Sequence, residues 1–213
     1  MHQILCIAME KSVDRIDLRE RIVRVAIGLF QTKGVKQVRM DDVANELSIS
    51  KKTLYERFSD KEELLLEVVK IASESLQQNI KEILGGSANV LEQIFMLYKC
   101  VIEHCRKVNP LFFIELIRYP KVQAYFESTH AKHTDCTRDW LQMGVKEGLL
   151  RDDVNYEVFL RQDGFQIDKL LVNPEVRKYP SKVIYDSVVL VMLRGLATEK
   201  GLEIIKQWKN NSI

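Results

Sequence analysis

The stretch that decides the fold is "SISKKTLYERFSDKEEL", Ser48 to Leu64. Ser50 stands directly before a short helical pattern, where a hydroxyl can accept a hydrogen bond from a backbone N–H of the first turn. Leu54 and Phe58 lie four residues apart, so both fall on one helix face, which we expect to pack on a core. That geometry turns other side chains outward or to the flanks: Lys52, Glu56, Thr53 and Tyr55. The stretch therefore predicts a short helix with an apolar anchor and a polar, cationic outer face.

The residues before this stretch predict two further helices. Asp17 with Glu20 predicts a capping box, and an apolar stripe follows it: Ile22, Val25, Ala26, Leu29 and Phe30. Gly34 is expected to end this first helix in a left-handed conformation. A second helix is predicted from about Met40 to Leu47, followed by a three-residue turn.

The residues after it predict a long fourth helix and then a larger helical body. Ser59 with Glu62 predicts the capping box that opens the fourth helix, which reaches about Leu84. Further helices are predicted over about 88–107, from Asn109-Pro110, and over about 120–147, 156–172, 181–196 and 202–208. We therefore predict an all-α fold, with a helix-turn-helix domain over residues 15–61 and a larger helical body over residues 62–213.

Composition limits the functional classes. The 213 residues carry a formal net charge of only +2, with 46% hydrophobic residues, so a substantial core is expected and no global field favours nucleic acid. The positive excess is local: residues 1–61 hold 12 Lys+Arg against 9 Asp+Glu. Four scattered cysteines lack a CxxC pair, and no apolar run approaches a membrane span. We expect a cytoplasmic protein without a membrane partner, whose residues 1–14 form a frayed leader and whose Met9 is an alternative start to Met1.

Two short helices joined by a tight turn, the second with a lysine-rich outer face, suit insertion into the DNA major groove. Lys51, Lys52 and Thr53 stand at the end of the helix from which side chains reach base edges, whereas Tyr55 and Arg57 can reach phosphates. Lys61 opposes the dipole of the fourth helix, which favours a phosphate as its partner. The alternative on spacing alone is a solvated charged face.

The run "RERIVRVAIGLFQTKGVKQVRMDDVANELSISKKTLYERFSDKEELLLEVV", Arg19 to Val69, resembles the DNA-binding region of the TetR family of transcriptional regulators. The resemblance rests on the "KG" that ends the first helix, on "DVA" in the second and on "TLY..F..KE.LL" beyond it. It implies that one group reads DNA: Lys51, Lys52, Thr53, Tyr55 and Glu56. It implies that Arg57 and Lys61 contact the phosphate backbone of the DNA. Three residues depart from those usual in the family: Arg39, Ser48 and Lys52. We add Arg39 and the capping residue Ser50 to the predicted DNA-binding residues.

The resemblance further implies a homodimer on a near-palindromic double-stranded operator, with the last two long helices forming a four-helix interface. It also implies a small-molecule effector. The residues that we predict to line its cavity are aromatic or sulfur-bearing: Phe95, Tyr98, Cys105, Phe112, Phe113, Trp140 and Phe165. Ordinary burial is the alternative for each. A repressor is the family's usual mode, while an activator and a regulator without an effector stay open.

Two other chemistries are disfavoured. His130 and His133, with Cys136 nearby, could hold a metal on one helix face, but surface histidines explain the pattern better. The chain has no phosphate-cradling glycine loop, no GxSxG and no HExxH, so we predict neither an enzyme nor a cofactor.

Overall fold

The computed structural model describes residues 17–86, 89–161 and 173–211, and these are helical without a β-strand, as predicted. The N-terminal helices are α1 (Leu18–Lys33), α2 (Met40–Glu46), α3 (Lys51–Tyr55) and α4 (Lys61–Leu84). The following helices are α5 (Val90–Cys105), α6 (Pro110–Leu116), α7 (Pro120–Lys146), α8 (Tyr156–Arg161) and α9 (Pro174–Arg177). The last are α10 (Ser181–Ile184), a π-helical turn (Tyr185–Val189), α11 (Leu190–Leu196) and α12 (Glu199–Asn211).

Helix α1 starts where the sequence predicts but is capped differently. Asp17 makes no side-chain cap hydrogen bond, so the predicted capping box is wrong. The physical reason is competition, because Glu20 Oε1 instead accepts a 2.6 Å hydrogen bond from Nη2 of Arg24, one turn on. The buried stripe is also rotated from the predicted one: it consists of Ile22, Val23, Ala26, Ile27 and Phe30.

Helix α4 begins one residue out of the predicted capping register. Asp60 directly precedes the first helical residue, and its Oδ1 accepts a 2.7 Å hydrogen bond from the Glu63 N–H. Glu63 Oε2 in turn accepts the Ser59 N–H at 2.8 Å. The predicted Ser59–Glu62 box is therefore wrong, because Asp60 and not Ser59 is the capping residue, and the residue three positions after Asp60 is Glu63. Glu62 makes a longer-range contact, described below.

The later helices follow the predicted pattern with three differences. The predicted linker before residue 181 contains the one-turn helix α9, and the predicted helix over 181–196 contains the π-helical turn. The tail helix is longer than predicted, since α12 runs Glu199–Asn211. Of the predicted helix over 156–172, the part after Arg161 lies outside the described residues. Among the described helices, none combines the length and the apolar character that a bilayer crossing needs.

The first of two compact units comprises the described residues of Met1–Gln78 and of His104–Ser128. Its core contains the buried face of α1 together with Val43, Leu54, Phe58, Leu64 and Leu65. These side chains come from four helices, so the short helices α2 and α3, too short to be stable alone, are held by tertiary burial. The predicted functional boundary between residues 61 and 62 stays a prediction.

The second compact unit comprises the described residues of Asn79–Glu103 and Thr129–Ile213. Backbone hydrogen bonds join the loop after α7 to the residues between α11 and α12. Leu150 and Ala197 form an antiparallel bridge, and the Arg151 N–H donates to the Leu196 carbonyl at 2.8 Å. A Cβ at Gly201 would collide with the Leu149 carbonyl oxygen, so this close approach requires glycine.

Candidate functional sites

Helix α3 is fixed by a cap and by two buried side chains. Ser50 Oγ accepts the Thr53 N–H at 3.0 Å, and the two hydroxyls lie 2.8 Å apart. Leu54 and Phe58 are fully buried beneath it, as the sequence predicts. The guanidinium of Arg19 lies 4.6 Å from the centre of the Phe58 ring, within cation–π distance. A five-residue helix thus obtains a defined orientation from its neighbours.

The outer face of α3 and the residues next to it form an exposed polar surface, which we call the α3 surface. It consists of Lys51, Lys52, Tyr55, Glu56 and Arg57, with Thr53 half-buried at its edge. Tyr55 is 48% exposed although it is aromatic. The predicted base-reading and phosphate-binding residues of this helix are therefore accessible to a macromolecular ligand.

The two adjacent lysines of α3 differ in their electrostatic environment. The Lys51 ammonium forms an ion pair with Asp41 in the first turn of α2, and this contact raises the pKa of Lys51. Within the described part of the chain no carboxylate pairs with Lys52. Lys52 is therefore the lysine whose ammonium can meet a ligand without first leaving an intramolecular partner.

Arg39, the predicted addition to the DNA-binding set, precedes α2. Its backbone N–H donates to Asp42 Oδ2 at 2.7 Å, while its own side chain is exposed. Arginine has no acceptor atom and cannot complete a capping box. The guanidinium is thus left facing solvent at the start of α2.

Lys61 lies in a more buried place than the α3 lysines. It is the first residue of α4 and is half-buried. Burial lowers the pKa of Lys61, while the carboxylates of Glu115 and Asp42 raise it. A phosphate that reaches Lys61 would therefore compete with two nearby acidic groups.

Glu115, on α6, joins this region to the loop after α1. Its carboxylate is buried, and Oε2 accepts the Lys36 N–H at 2.6 Å. Gly34 makes the approach possible: its φ is 84°, and an added Cβ would lie 3.0 Å from the Leu111 Cβ. The predicted positive φ at Gly34 is confirmed. The close approach of Leu111 is a second reason why this position requires glycine, and the sequence did not reveal it.

The N-terminal ends of α4 and α7 also meet. Glu62 Oε1 accepts the Lys121 N–H at 2.7 Å, and the Lys121 ammonium lies 3.1 Å from Asp60 Oδ2. The Glu63 N–H is the main cause that lowers the pKa of Asp60, and Lys121 adds to it. The start of α4 is thereby tied to residues about sixty positions away in the chain.

The second compact unit contains a cavity of about 170 Å³. Its apolar lining comes from Phe95, Ile102, Tyr185, Leu190 and Trp208. Its polar lining comes from Lys99, Glu103, Ser181, Lys182 and Asp186. Aromatic walls with a few polar groups are typical of small-molecule sites.

Three aromatic rings shape this cavity. Phe95 and Trp208 stack with ring centres 4.5 Å apart and planes inclined by 9°. Tyr185 lies on the π-helical turn, with its ring centre 6.1 Å from that of Phe95. Its hydroxyl is buried and has no hydrogen-bond partner among the described residues, and burial raises the pKa of Tyr185.

Of the residues predicted to line an effector cavity, the structure places Phe95 in the wall of this one. Tyr98 and Cys105 are buried outside its described lining, and Trp140 Nε1 donates to Gln93 Oε1 at 2.7 Å. Phe112 and Phe113 pack edge to face in the first compact unit. Phe165 and the side chains of His130, His133 and Cys136 lie outside the described residues. Within the part that is described, no group of ligating side chains could hold a metal.

Comparison with known proteins connects the α3 surface to a family. Residues 22–68 match the family model "Bacterial regulatory proteins, tetR family". The transcriptional repressor KstR2 of Mycobacterium tuberculosis is 26% identical over 149 residues, which cover 67% of this chain and 74% of that repressor. The chain carries the DNA-binding domain of TetR-family transcriptional regulators.

Solved structures agree with this fold. The TetR-family regulator matches KstR2 of M. tuberculosis with a TM-score of 0.61 and 22% identity, covering 88% of this chain and 98% of that one. It matches a Saccharomonospora viridis regulator, solved with choline, with a TM-score of 0.71 and 20% identity, over 85% and 98%. It matches Thermus thermophilus FadR, solved with lauroyl-CoA, with a TM-score of 0.59 and 20% identity, over 85% and 96%.

These relatives define the general activity. TetR-family regulators bind operator DNA and small-molecule effectors and act as dimers. They are transcription factors and not enzymes, so the predicted class is confirmed. The family match and the exposed α3 surface together make this chain a DNA-binding transcriptional regulator.

Proposed function

We propose that this TetR-family regulator is a cytoplasmic homodimeric repressor that leaves a near-palindromic operator when a small molecule fills the cavity of its second unit. The observation that carries the proposal is the exposed α3 surface, held over the fully buried Leu54 and Phe58. Charge and hydrogen-bond donors at the N-terminal end of a groove-binding helix suit both base edges and phosphates.

The proposed roles of the DNA-binding residues follow their exposure. Lys52, unpaired within the described residues, meets a base edge, most favourably O6 or N7 of guanine. Lys51 exchanges Asp41 for the DNA. Four further side chains contact bases or phosphates from the flanks and from α2: Thr53, Tyr55, Arg57 and Arg39.

Exposed valines support the proposed dimer interface. Val183, Val188 and Val191 are exposed along the segment from α10 to α11, and Val158 is exposed on α8. These are the two segments whose sequence predicts pairing with a second copy. Apolar side chains left open on helical segments favour burial against another protein surface, and two-fold pairing is the commonest solution.

The effectors of the relatives differ in chemistry. The S. viridis regulator was solved with choline and FadR with lauroyl-CoA, whereas KstR2 is a ketosteroid transcriptional regulator, so the relatives favour no single ligand class for this chain. The cavity lined by Phe95, Tyr185 and Trp208 is the proposed effector site because it joins aromatic walls to a buried hydroxyl without a partner.

The coupling between the two sites is proposed to run along α4, which begins at Lys61 and continues to Leu84. A shift of this helix would displace Lys61 and the Asp60 cap beside the α3 surface. By linkage, a ligand that weakens operator binding must itself bind more weakly to the DNA-bound protein.

Footprinting on the DNA that flanks the regulator's own gene tests the DNA-binding part. We expect protection of two half-sites about 34–36 Å apart, centre to centre. A Lys52→Ala variant should lose that protection at concentrations where a Lys178→Ala variant, altered at an exposed lysine of the second compact unit, keeps it. Equal loss in both variants would refute the assignment of α3.

Light scattering tests the dimer. We expect a mass twice the 24.8 kDa of one chain. Val191→Asp should yield monomers, because a carboxylate would lose its hydration in the interface. Met143→Asp, at an exposed apolar residue of α7, should stay dimeric. A dimeric Val191→Asp protein would place the interface elsewhere.

A further inference from the structure

The Tyr185 hydroxyl is the unusual atom of the cavity. It is buried, belongs to a side chain that lines the cavity and has no hydrogen-bond partner among the described residues. Buried polar groups are nearly always hydrogen-bonded, so a partnerless hydroxyl needs an explanation. A ligand that supplies the missing partner is one.

The backbone that carries Tyr185 is irregular at this point. The π-helical turn Tyr185–Val189 interrupts the regular helix between α10 and α11, and the Leu190 N–H donates to the Tyr185 carbonyl. Single π turns inside α-helices are frequent at functional sites, where they redirect a side chain. The irregular turn and the partnerless hydroxyl thus coincide at one residue.

The size and walls of the cavity limit what can enter. Its volume is about 170 Å³. An apolar protein cavity of about 150 Å³ is known to accept benzene, so this one matches a single aromatic ring with a small substituent. The stacked rings of Phe95 and Trp208 supply flat apolar surface for such a ring.

The charged groups of the lining do not select a charged ligand. Lys99 and Lys182 contribute two positive charges, and Glu103 and Asp186 contribute two negative ones. Their formal charges cancel. Hydrogen bonding to Tyr185, whose hydroxyl has no partner among the described residues, is therefore one polar feature by which the cavity can discriminate among ligands.

We propose that the cavity takes a single-ring aromatic molecule that carries one uncharged hydroxyl or carbonyl oxygen, and that the Tyr185 hydroxyl donates a hydrogen bond to that oxygen. This assignment rests on the proposed function, in which the cavity is the effector site. Because burial raises the pKa of Tyr185, its hydroxyl stays protonated at neutral pH and acts as a donor.

Isothermal titration calorimetry of the full chain with 4-methylphenol and with toluene tests the proposal. The two probes share a ring and a methyl group and differ in one hydroxyl. We expect the ratio of their affinities to fall about five- to tenfold, in favour of toluene, on going from the native protein to Tyr185→Phe. Tyr185→Phe removes only a partnerless hydroxyl, so it should fold at least as well as the native chain.

Tyr156→Phe is the matched control. The Tyr156 hydroxyl donates to the Arg151 carbonyl at 2.8 Å and does not line this cavity, so the affinity ratio should be unchanged in this variant. An unchanged ratio in Tyr185→Phe, or a failure of both probes to bind the native protein, would overturn the proposal. Tighter binding of choline than of 4-methylphenol would overturn it in favour of a cation site.

Operator binding, measured separately with and without 4-methylphenol, keeps the two proposals apart. Binding of 4-methylphenol through Tyr185 without any change in operator affinity would refute effector-controlled release and leave the ligand assignment intact. An operator that is bound normally by a protein that accepts neither probe would refute the ligand assignment alone.

Discussion

The α3 surface and the cavity are two proposed binding sites with opposite chemical character. The α3 surface is exposed and carries several cations, including Lys51, Lys52 and Arg57. The cavity is lined by Phe95, Tyr185 and Trp208, and the formal charges of the four charged residues in its described lining sum to zero. We expect DNA binding at the α3 surface to be driven by counterion release and ligand binding in the cavity to be driven by burial of apolar surface. The regulator should therefore respond to salt at one site and to ligand shape at the other.

Ionic strength gives the largest contrast between the sites. With three to five phosphate contacts per subunit, operator affinity should fall by about 10³-fold or more between 50 and 200 mM salt. Binding of 4-methylphenol in the cavity should change less than about twofold, because an uncharged ligand releases no counterions. Filter binding and calorimetry on the same preparation measure the two. A salt-independent operator affinity would contradict the electrostatic character of the α3 surface.

The support beneath α3 gives the next largest effect. Phe58→Ala should lower the free energy of unfolding by about 3–5 kcal/mol, because a fully buried ring is lost together with its contact to Arg19. Tyr55→Ala, at the exposed aromatic residue of the same surface, should change it by less than about 0.5 kcal/mol. Urea unfolding measures both. Equal values would mean that Phe58 is not the anchor that its burial indicates.

Lys52 and Lys61 should differ in kind. Lys52→Ala should weaken operator binding by about 1–3 kcal/mol and relax the preference at one base pair per half-site. Lys61→Ala should weaken binding to all sequences alike and reduce the salt slope by about one unit, because only phosphate is within its reach. Binding to the operator, to single-base variants and to random DNA at two salt concentrations separates them. A Lys52→Ala protein that loses affinity equally for every sequence would make Lys52 another phosphate contact.

The smallest of these effects is the loss of folding stability when acid protonates Asp60, the cap of α4. The folded-state pKa of Asp60 lies below its ordinary value of 3.8, so the unfolded chain binds the proton first and the contribution of Asp60 to stability is lost as the pH falls below about 4. Asp60→Ala should cost about 0.5–2 kcal/mol at pH 7. Asp60→Asn should keep most of the cap and show a flatter loss of stability below pH 4. Identical acid profiles for Asp60→Asn and the native chain would exclude Asp60 as a titrating group.

Local pattern was sufficient to predict the α3 region. Ser50, Leu54 and Phe58 act through spacings of three or four residues, which the sequence displays directly, and the structure places each as predicted. The ties of Glu115 to Lys36 and of Glu62 to Lys121 join residues 79 and 59 positions apart. No local pattern contains such partners. Their discovery requires the tertiary fold.

The residues that line the cavity could not be identified from the sequence either. Composition identified aromatic residues in the body, but burial in a core and exposure to a cavity look alike in a sequence. Phe95 lines the cavity, whereas Phe112 and Phe113 lie in the other compact unit. Trp208 lies within the predicted tail helix, but its stacking on Phe95 is a tertiary contact that no local pattern shows. Tyr185 lies on a π-helical turn, which has no sequence signature that a period of 3.6 residues would show.

Ser48 carries a consequence for how this chain can vary. Its φ of 53° is left-handed, and the Ile49 N–H to the Ala44 carbonyl and the Ser48 N–H to the Asn45 carbonyl close a Schellman motif after α2. A non-glycine residue in this conformation costs about 1–2 kcal/mol. The turn between α2 and α3 is therefore strained at Ser48, and a glycine at this position would stabilise the fold. In evolutionary terms, a later change to glycine here could offset a destabilising substitution on the α3 surface, so that the DNA specificity can drift while the fold persists.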